Sequence, residues 1–488
     1  MTQPENIRDT FIRAGQEHIF QYWEELTQIE KSDFLSQLSK FPDPVAYINR
    51  VQEAIKYSAE ISKSRSIEPL PSTSYDSTLD SNLETLQKWQ GAGYDLIKNG
   101  KVGVILMAGG QGTRLGSSDP KGFYDVGLPS HKSLFQLQCE RILKLQDLVS
   151  SYHSSNNNKD EPINSIPLYI MTSDPTRIAT ENYFKENNFF GLDSKNVIFF
   201  SQGTLPALSL NGDKFLLETK NKLVESPDGN GGLYRAILNN NLIEDFDKRG
   251  IKHIHMYCVD NVLVKVSDPL FLGYSALNEF DVATKVVRKR DASESVGLIV
   301  LDSDKNSPCV IEYSEISKGL SEKKDLDGKL SLRAANIVNH YYNVDFLKKS
   351  LIHWVNSKEC LPYHIAKKKI GYFDSNENKF LKPTENNGIK MEQFIFDVFP
   401  TVKLSKFGCL EVERFEEFSP LKNAPGSQND SPETCKSNLL KRSTKWLIDN
   451  GAILENENDL VEVLPSTSYA GEGLSDYKGV LLKNNQII

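Results

Sequence analysis

Five short runs along the chain are almost wholly apolar: VGVILMA (102–108), PLYIMTS (167–173), NVIFFS (196–201), IHMYCV (254–259) and DVATKVV (281–287). Continuous apolarity over so few residues suits parallel strands covered on both faces. Between them the spacing turns helical. Ser133-Leu-Phe-Gln136 reads as a capping box, followed by Leu134, Leu137, Ile142, Leu145 and Leu148 on one inner side. Asp174-Pro175 and Asp268-Pro269 each set a cap residue before a proline at the first helical position. This alternation predicts an α/β fold, a doubly wound and mostly parallel sheet flanked by helices, with right-handed crossovers.

The flanks differ in texture. Residues 1–65 read as helical, with Ile7, Phe11, Ile12, Phe20, Trp23 and Leu26 spaced for an apolar face, until Pro42 and Pro44 intervene. Ser62–Asn82 is a Ser/Pro-rich linker, and 150–164 a polar loop. Pro420–Ser437 reads as irregular, followed by a short helix over 441–450 and a tail of short strands. The expected division is a helical N-terminal segment (1–99), a central domain (100–405) and a small α+β C-terminal domain (406–488) that closes over the active site.

Charge and composition narrow the class. The 488 residues carry 57 Lys and Arg against 65 Asp and Glu, a net charge of −8. A general nucleic-acid binder needs a basic face, so that class is set aside. No apolar run approaches a membrane span. The first thirty residues carry charge throughout and lack the apolar core of a secretory signal. Six cysteines are scattered without a CxxC pair and read as reduced thiols. A cytoplasmic monomer acting on small molecules is expected, with neither nucleic acid nor membrane as partner.

The densest candidate chemistry follows the first apolar run. Gly109, Gly110 and Gly112 remove the Cβ atoms where the strand turns, so backbone N–H groups can converge on an anion, with Arg114 and Lys121 at the rim. A plain turn is one reading. A dinucleotide fingerprint needs G-x-G-x-x-G, but Gly116 comes one residue late. The acidic ribose reader it also needs would fall on Glu140, inside the Ser133 helix. A P-loop needs Gly-Lys-Ser/Thr, whereas Lys121 stands between Pro120 and Gly122.

Asp260 ends an apolar strand with no helix after it to cap, and a hard carboxylate suits Mg²⁺ on a triphosphate. Gln202, just past a strand, offers the paired donor and acceptor of an amide, matching an imide edge. His253-x-His255 share a strand face, but no third ligand is near, which favours structural histidines.

The loop with Asp119-Pro120-Lys121-Gly122 resembles the signature of nucleoside-triphosphate:sugar-phosphate nucleotidyltransferases. The run LMAGGQGTRLGSSDPKGFYDVGLPSHKSLFQLQCERI resembles, in particular, the eukaryotic UDP-N-acetylhexosamine pyrophosphorylases of the UDPGP type. The resemblance continues through SQGTLP (201–206), PDGNGGLY (227–234), YCVDN (257–261), VIEYSE (310–315), NIVNH (336–340), GIKME (388–392) and SPLKNA (419–424), covering roughly 100–425.

That resemblance implies a Rossmann-like, GT-A-like domain and uridylyl transfer from UTP to N-acetylglucosamine 1-phosphate. It places Met107, Ala108, Gly109, Gly110, Gln202 and Gly229 on UTP, and Asn230, Gly297, Glu312, Tyr313 and Asn336 on the sugar. Arg114, Lys121, Lys390 and Lys422 fall on catalytic positions, and Asp260 on that of Mg²⁺ (or Mn²⁺). Uridylyl transfer to glucose 1-phosphate is the nearest alternative. A catalytically inactive nucleotide-sugar sensor is a different one, opposed by the presence of Arg114, Lys121 and Asp260. No hexapeptide period occurs, so a fused β-helix is not expected.

Overall fold

The computed structural model describes residues 4–60, 66–154, 164–374 and 377–488. They form two compact units, each discontinuous in sequence: 1–64, 202–236 and 353–398 in the smaller, and 65–201, 237–352 and 399–488 in the larger.

The larger unit is built on one sheet. Besides the two-residue strand Ile67–Glu68, which pairs with Leu301 and Asp302, its strands are β1 (Tyr75–Ser77), β2 (Val102–Met107), β3 (Leu168–Thr172), β4 (Val197–Ser201), β5 (His253–Cys258), β6 (Val282–Arg288), β7 (Leu298–Asp302), β8 (Ser307–Ile311), β9 (Ala334–Asn343) and β10 (Phe407–Val412). The main path runs β1-β10-β6-β9-β5-β2-β3-β4. Along it only β9 runs against its neighbours, and the other pairs are parallel. β7 pairs with β9 and with β8. All five apolar runs are strands. The reason for their apolarity is visible in β2 and β3, where every residue is buried.

Helices cover both faces: α1 (Leu83–Lys98), α2 (Leu134–Ser154), α3 (Asp174–Glu186), α4 (Leu242–Arg249), α5 (Pro269–Leu277) and α6 (Pro432–Asp449). Leu134, Leu137, Ile142 and Leu145 of α2 join Val104, Leu106, Leu168 and Ile170 in one core cluster.

Local details depart from the sequence expectations. Ser133 Oγ accepts from Gln136 N–H, but the Gln136 amide turns to Glu140 instead of closing the box. Glu140 also holds Lys132, so it is engaged within its own helix neighbourhood. Asp268 caps α5 as expected, whereas α3 begins at Asp174 with Ser173 as its cap residue. α6 starts nine residues before the predicted helix, because Ser431 accepts from Thr434 N–H and Pro432 fits the first turn.

The smaller unit packs helices Pro4–Arg13, Gln28–Ser39 and Pro44–Glu60 with short strands. Gly388–Glu392 pairs antiparallel with His364–Lys368 and with Leu208–Ser209. Phe11, Phe34, Leu38 and Val51 share a core with Leu208, Phe215, Ile389 and Met391. Ile12 is 40% exposed and lies off that apolar face. No helix among the described residues is long and apolar enough to cross a membrane.

Candidate nucleotide and sugar-phosphate site

β2 ends at Met107, opposite Cys258 at the end of β5. Ala108 N–H still joins the sheet, donating to the Met171 carbonyl. Beyond it the chain folds back on itself. Gly112 N–H donates to the Asp119 carbonyl at 2.9 Å, and Lys121 N–H to the Gly110 carbonyl at 3.1 Å. Ser173 Oγ donates to the Gly109 carbonyl at 2.6 Å, which ties the loop to the start of α3. The carbonyls of this hairpin are thus engaged, while the N–H groups of Gly109, Gly110 and Gln111 have no acceptor among the described residues. A Cβ at Gly110 would meet nothing within 4 Å. Unclaimed backbone N–H groups on a glycine turn are donors of the kind that bind anions. Arg114, on the short turn Thr113–Leu115, is exposed beside it.

Asp260 stands two residues beyond the end of the neighbouring strand β5. Its Oδ2 lies 3.8 Å from Lys121 Nζ, and the two side chains are 19% and 20% exposed. The Asp260 carbonyl accepts from Leu421 N–H at 2.8 Å, and Asn261 bridges to Pro420. This pairing carries Lys422 to the same strand end, where its N–H and that of Asn423 donate to the Asp430 carbonyl. Burial raises the Asp430 carboxyl, against the pull of Lys422. Asn261 escaped sequence reading because its side chain contacts backbone far along the chain, at Glu417 and Ser419.

Gly297, Glu312 and Asn336 also converge. Asn336 N–H donates to the Gly297 carbonyl at 2.9 Å, and a Cβ on Gly297 would fall 3.3 Å from Glu312 Oε1. A bulge in β9 presents Asn336. The register against β6 slips between Lys285 and Val286, and Val338 takes φ 53°, a strained value for a β-branched residue. Asn336 Oδ1 braces the bulge by accepting from Val338 N–H at 3.0 Å. Tyr313 follows Glu312 on a short turn and is 52% exposed.

In the smaller unit, Gln202 is buried. The 227–232 loop wraps the backbone of Gln393. Gly229, at φ 88°, leaves no space for a side chain, since a Cβ would lie 2.5 Å from the Gln393 carbonyl oxygen. Asn230 Oδ1 accepts from Ile395 N–H at 2.9 Å, leaving its NH₂ group for other work. Asp228 is 4% exposed and its Oδ1 has no hydrogen-bond partner among the described residues. Burial lifts its carboxyl to about 7. Lys390 lies on the strand face opposite core residues Ile389 and Met391, and burial lowers its pKa. Asp228 and Gln393 are additions to the sequence-derived set.

The strand histidines are structural. His253 bonds the Tyr341 hydroxyl, and His255 Nδ1 accepts from Ser267 N–H, so its Nε2 donates to Asn339 Oδ1. Burial lowers both to about 4. The six cysteines are free thiols.

The glycine turn, Lys121 and Asp260 lie together at the carboxyl end of a parallel sheet, where open α/β sheets bind ligands. The chain belongs to the UTP–glucose-1-phosphate uridylyltransferase family, whose model matches residues 46–478. It is similar to the UDP-N-acetylglucosamine pyrophosphorylase of Saccharomyces cerevisiae, 55% identical over 489 residues and 99% of each chain. A human UDP-N-acetylhexosamine pyrophosphorylase-like protein 1 is 39% identical over 98% of this chain and 95% of its own. The crystal structure of the Trypanosoma brucei uridine diphosphate N-acetylglucosamine pyrophosphorylase superposes with a TM-score of 0.82 at 26% identity, covering 99% of this chain and 98% of that one.

Proposed function

We propose that the chain catalyses UTP + N-acetylglucosamine 1-phosphate ⇌ UDP-N-acetylglucosamine + pyrophosphate. The observation that carries the chemistry is the cradle of three unclaimed N–H groups beside Lys121 and Asp260. The choice of sugar rests on the likeness, over the whole chain, to relatives bearing that name.

A sugar-phosphate oxygen attacks the α-phosphorus in line and pyrophosphate leaves. The nucleophile is already an anion, so no general base is required, and catalysis is positioning plus charge stabilisation. Met107, Ala108, Gly109 and Gly110 line the nucleotide, while Gln202 and Gly229 read the uracil. Arg114 and Lys121 neutralise the departing pyrophosphate, and Lys390 and Lys422 hold the sugar phosphate. Asn230, Gly297, Glu312, Tyr313 and Asn336 bind the sugar.

Asp260 is the residue that would hold Mg²⁺. No group of three metal-ligating side chains occurs among the described residues. A single half-buried carboxylate fits an ion that takes its other ligands from phosphate and water. When bound, the ion supplies charge neutralisation on the phosphates. The six free thiols suit a reducing compartment, in keeping with a cytoplasmic enzyme.

The test is pyrophosphate release from UTP with a panel of sugar 1-phosphates. An amide-lined pocket leaves its partners unpaired when glucose binds, so N-acetylglucosamine 1-phosphate should be preferred by ~10²–10³ in kcat/KM. Equal kcat/KM for glucose 1-phosphate would move the chain to the glucose reaction. No turnover with any sugar phosphate would leave only nucleotide-sugar binding.

A further inference from the structure

The turn that follows β5 is irregular, yet its backbone is deeply buried: Val259, Val262, Leu263 and Val264 are all 4% exposed or less. Buried carbonyls need donors, and here side chains supply them. Gln138 Nε2 donates to the Val259 carbonyl at 3.0 Å. Arg141, one turn further along α2, donates to the Val262 carbonyl at 2.8 Å and the Val264 carbonyl at 3.1 Å. Arg442 of α6 donates to the Leu263 carbonyl at 3.0 Å and to the Glu416 carbonyl at 2.7 Å.

Both guanidinium groups are nearly inaccessible, Arg141 at 4% and Arg442 at 3% exposure. Neither has a carboxylate within ion-pair distance among the described residues; Arg442 instead stacks on Trp446 at 4.7 Å. Burial draws their pKa values down to about 10 and about 9, so both stay charged at neutral pH. Burying two charges without a direct ion pair is costly, and carbonyl pairing of an ordinary loop does not require it.

The location supplies the reason. Val259, held by Gln138, adjoins Asp260, and the arginine-held carbonyls of 262–264 follow it by two to four residues; Arg442 joins Leu263 to Glu416, on the stretch leading to Lys422. Asn261 makes the same connection from within the turn. Its Oδ1 accepts from Ser419 N–H at 3.0 Å and its Nδ2 donates to the Glu417 carbonyl at 2.7 Å.

We propose that Arg141 and Arg442 are positioning residues for uridylyl transfer: a two-arginine clamp that fixes the Asp260 turn and, through Arg442, locks it to the segment bearing Lys422. The inference rests on the reading of Asp260 and Lys422 as phosphate-site residues.

The test compares Arg442→Lys, Arg442→Gln and Arg141→Lys with wild type. Lysine keeps the charge but not the fork geometry. Amide hydrogen exchange on the metal-free protein should accelerate about tenfold or more in both 259–264 and 419–422 of the Arg442 variants, because local opening there no longer breaks the clamp. Steady-state kinetics should show kcat down by ~10-fold or more, with KM for both substrates within about threefold, as expected when bound groups are misplaced by a fraction of an ångström. A folded Arg442→Lys protein with wild-type exchange in both segments, or with wild-type kcat, overturns the proposal. Should Arg442→Gln fail to fold, the two lysine variants decide. Asp260→Asn separates the premises: full activity in that variant sinks the reading of the site, whereas the exchange data still judge the clamp.

Discussion

Lys121 Nζ and Asp260 Oδ2 lie 3.8 Å apart, on loops leaving the adjacent strands β2 and β5. Both are about one-fifth exposed, so their mutual attraction is screened and contributes little to folding. The contact instead marks where the glycine loop meets the Asp260 turn.

Asp260 does its folding work through its main chain, whose carbonyl accepts from Leu421 N–H. Asp260→Asn should therefore unfold within a few degrees of wild type while losing most activity. Melting curves and a pyrophosphate-release assay over a range of Mg²⁺ check it. Wild-type activity at limiting Mg²⁺ would refute the metal assignment.

Arg114 is exposed on the glycine loop, next to N–H groups that no acceptor among the described residues claims. Arg114→Ala should lower kcat by ~10²-fold or more, the usual cost of removing one donor from developing charge. The sugar-phosphate KM should move less. A raised sugar KM at unchanged kcat would put this residue in another subsite.

Gly297 leaves a space that a Cβ would fill at 3.2 Å from Val310 Cγ1 and 3.3 Å from Glu312 Oε1. Gly297→Ala should push Glu312 aside and raise the sugar-phosphate KM more than the UTP KM. Asn336→Ala should do the same and also cost ~1 kcal/mol of stability, since its Oδ1 braces the β9 bulge. Equal changes in both KM values would remove these residues from the sugar pocket.

Asp228 ties stability to pH. Its carboxyl rises from an ordinary 3.8 to about 7 by burial. Between those values the folded chain keeps a proton that the unfolded chain has released. The stability this group contributes is complete below its unfolded pKa and lost as pH rises through about 7. Asparagine does not titrate. The stability of wild type relative to Asp228→Asn should therefore fall by about 2–3 kcal/mol between pH 5 and pH 8. Urea unfolding at the two pH values measures this, and a constant difference would mean the folded carboxyl is ionised throughout.

The strands of the large sheet were legible because burial on both faces leaves no polar residue in β2 or most of β3. The glycine loop was legible from three missing Cβ atoms and two nearby cations. Other features leave no local trace. Val338 gives no sign of the bulge that presents Asn336, because a β-branched residue at positive φ opposes its own preference. Arg141 and Arg442 look like ordinary charged positions on amphipathic helices, and only the fold shows that backbone carbonyls receive them. The early start of α6 was missed because Pro432 reads as a loop residue until Ser431 is recognised as its cap. The two compact units could not be read at all, since each is assembled from three separate stretches of chain.

The place of β10 in the sheet bears on the order of biosynthesis. β10 lies between β1 and β6, and β1 has no other strand partner on the sheet path. A nascent chain that has not yet emerged past Val412 holds β6 with an open edge and β1 unpaired, a sticky intermediate of the kind that aggregates. Asp260 likewise waits for Leu421 to receive its carbonyl bond. Translation arrest or proteolytic loss of the final stretch would yield neither a slower enzyme nor a trimmed one, but an unsealed sheet for chaperones to hold.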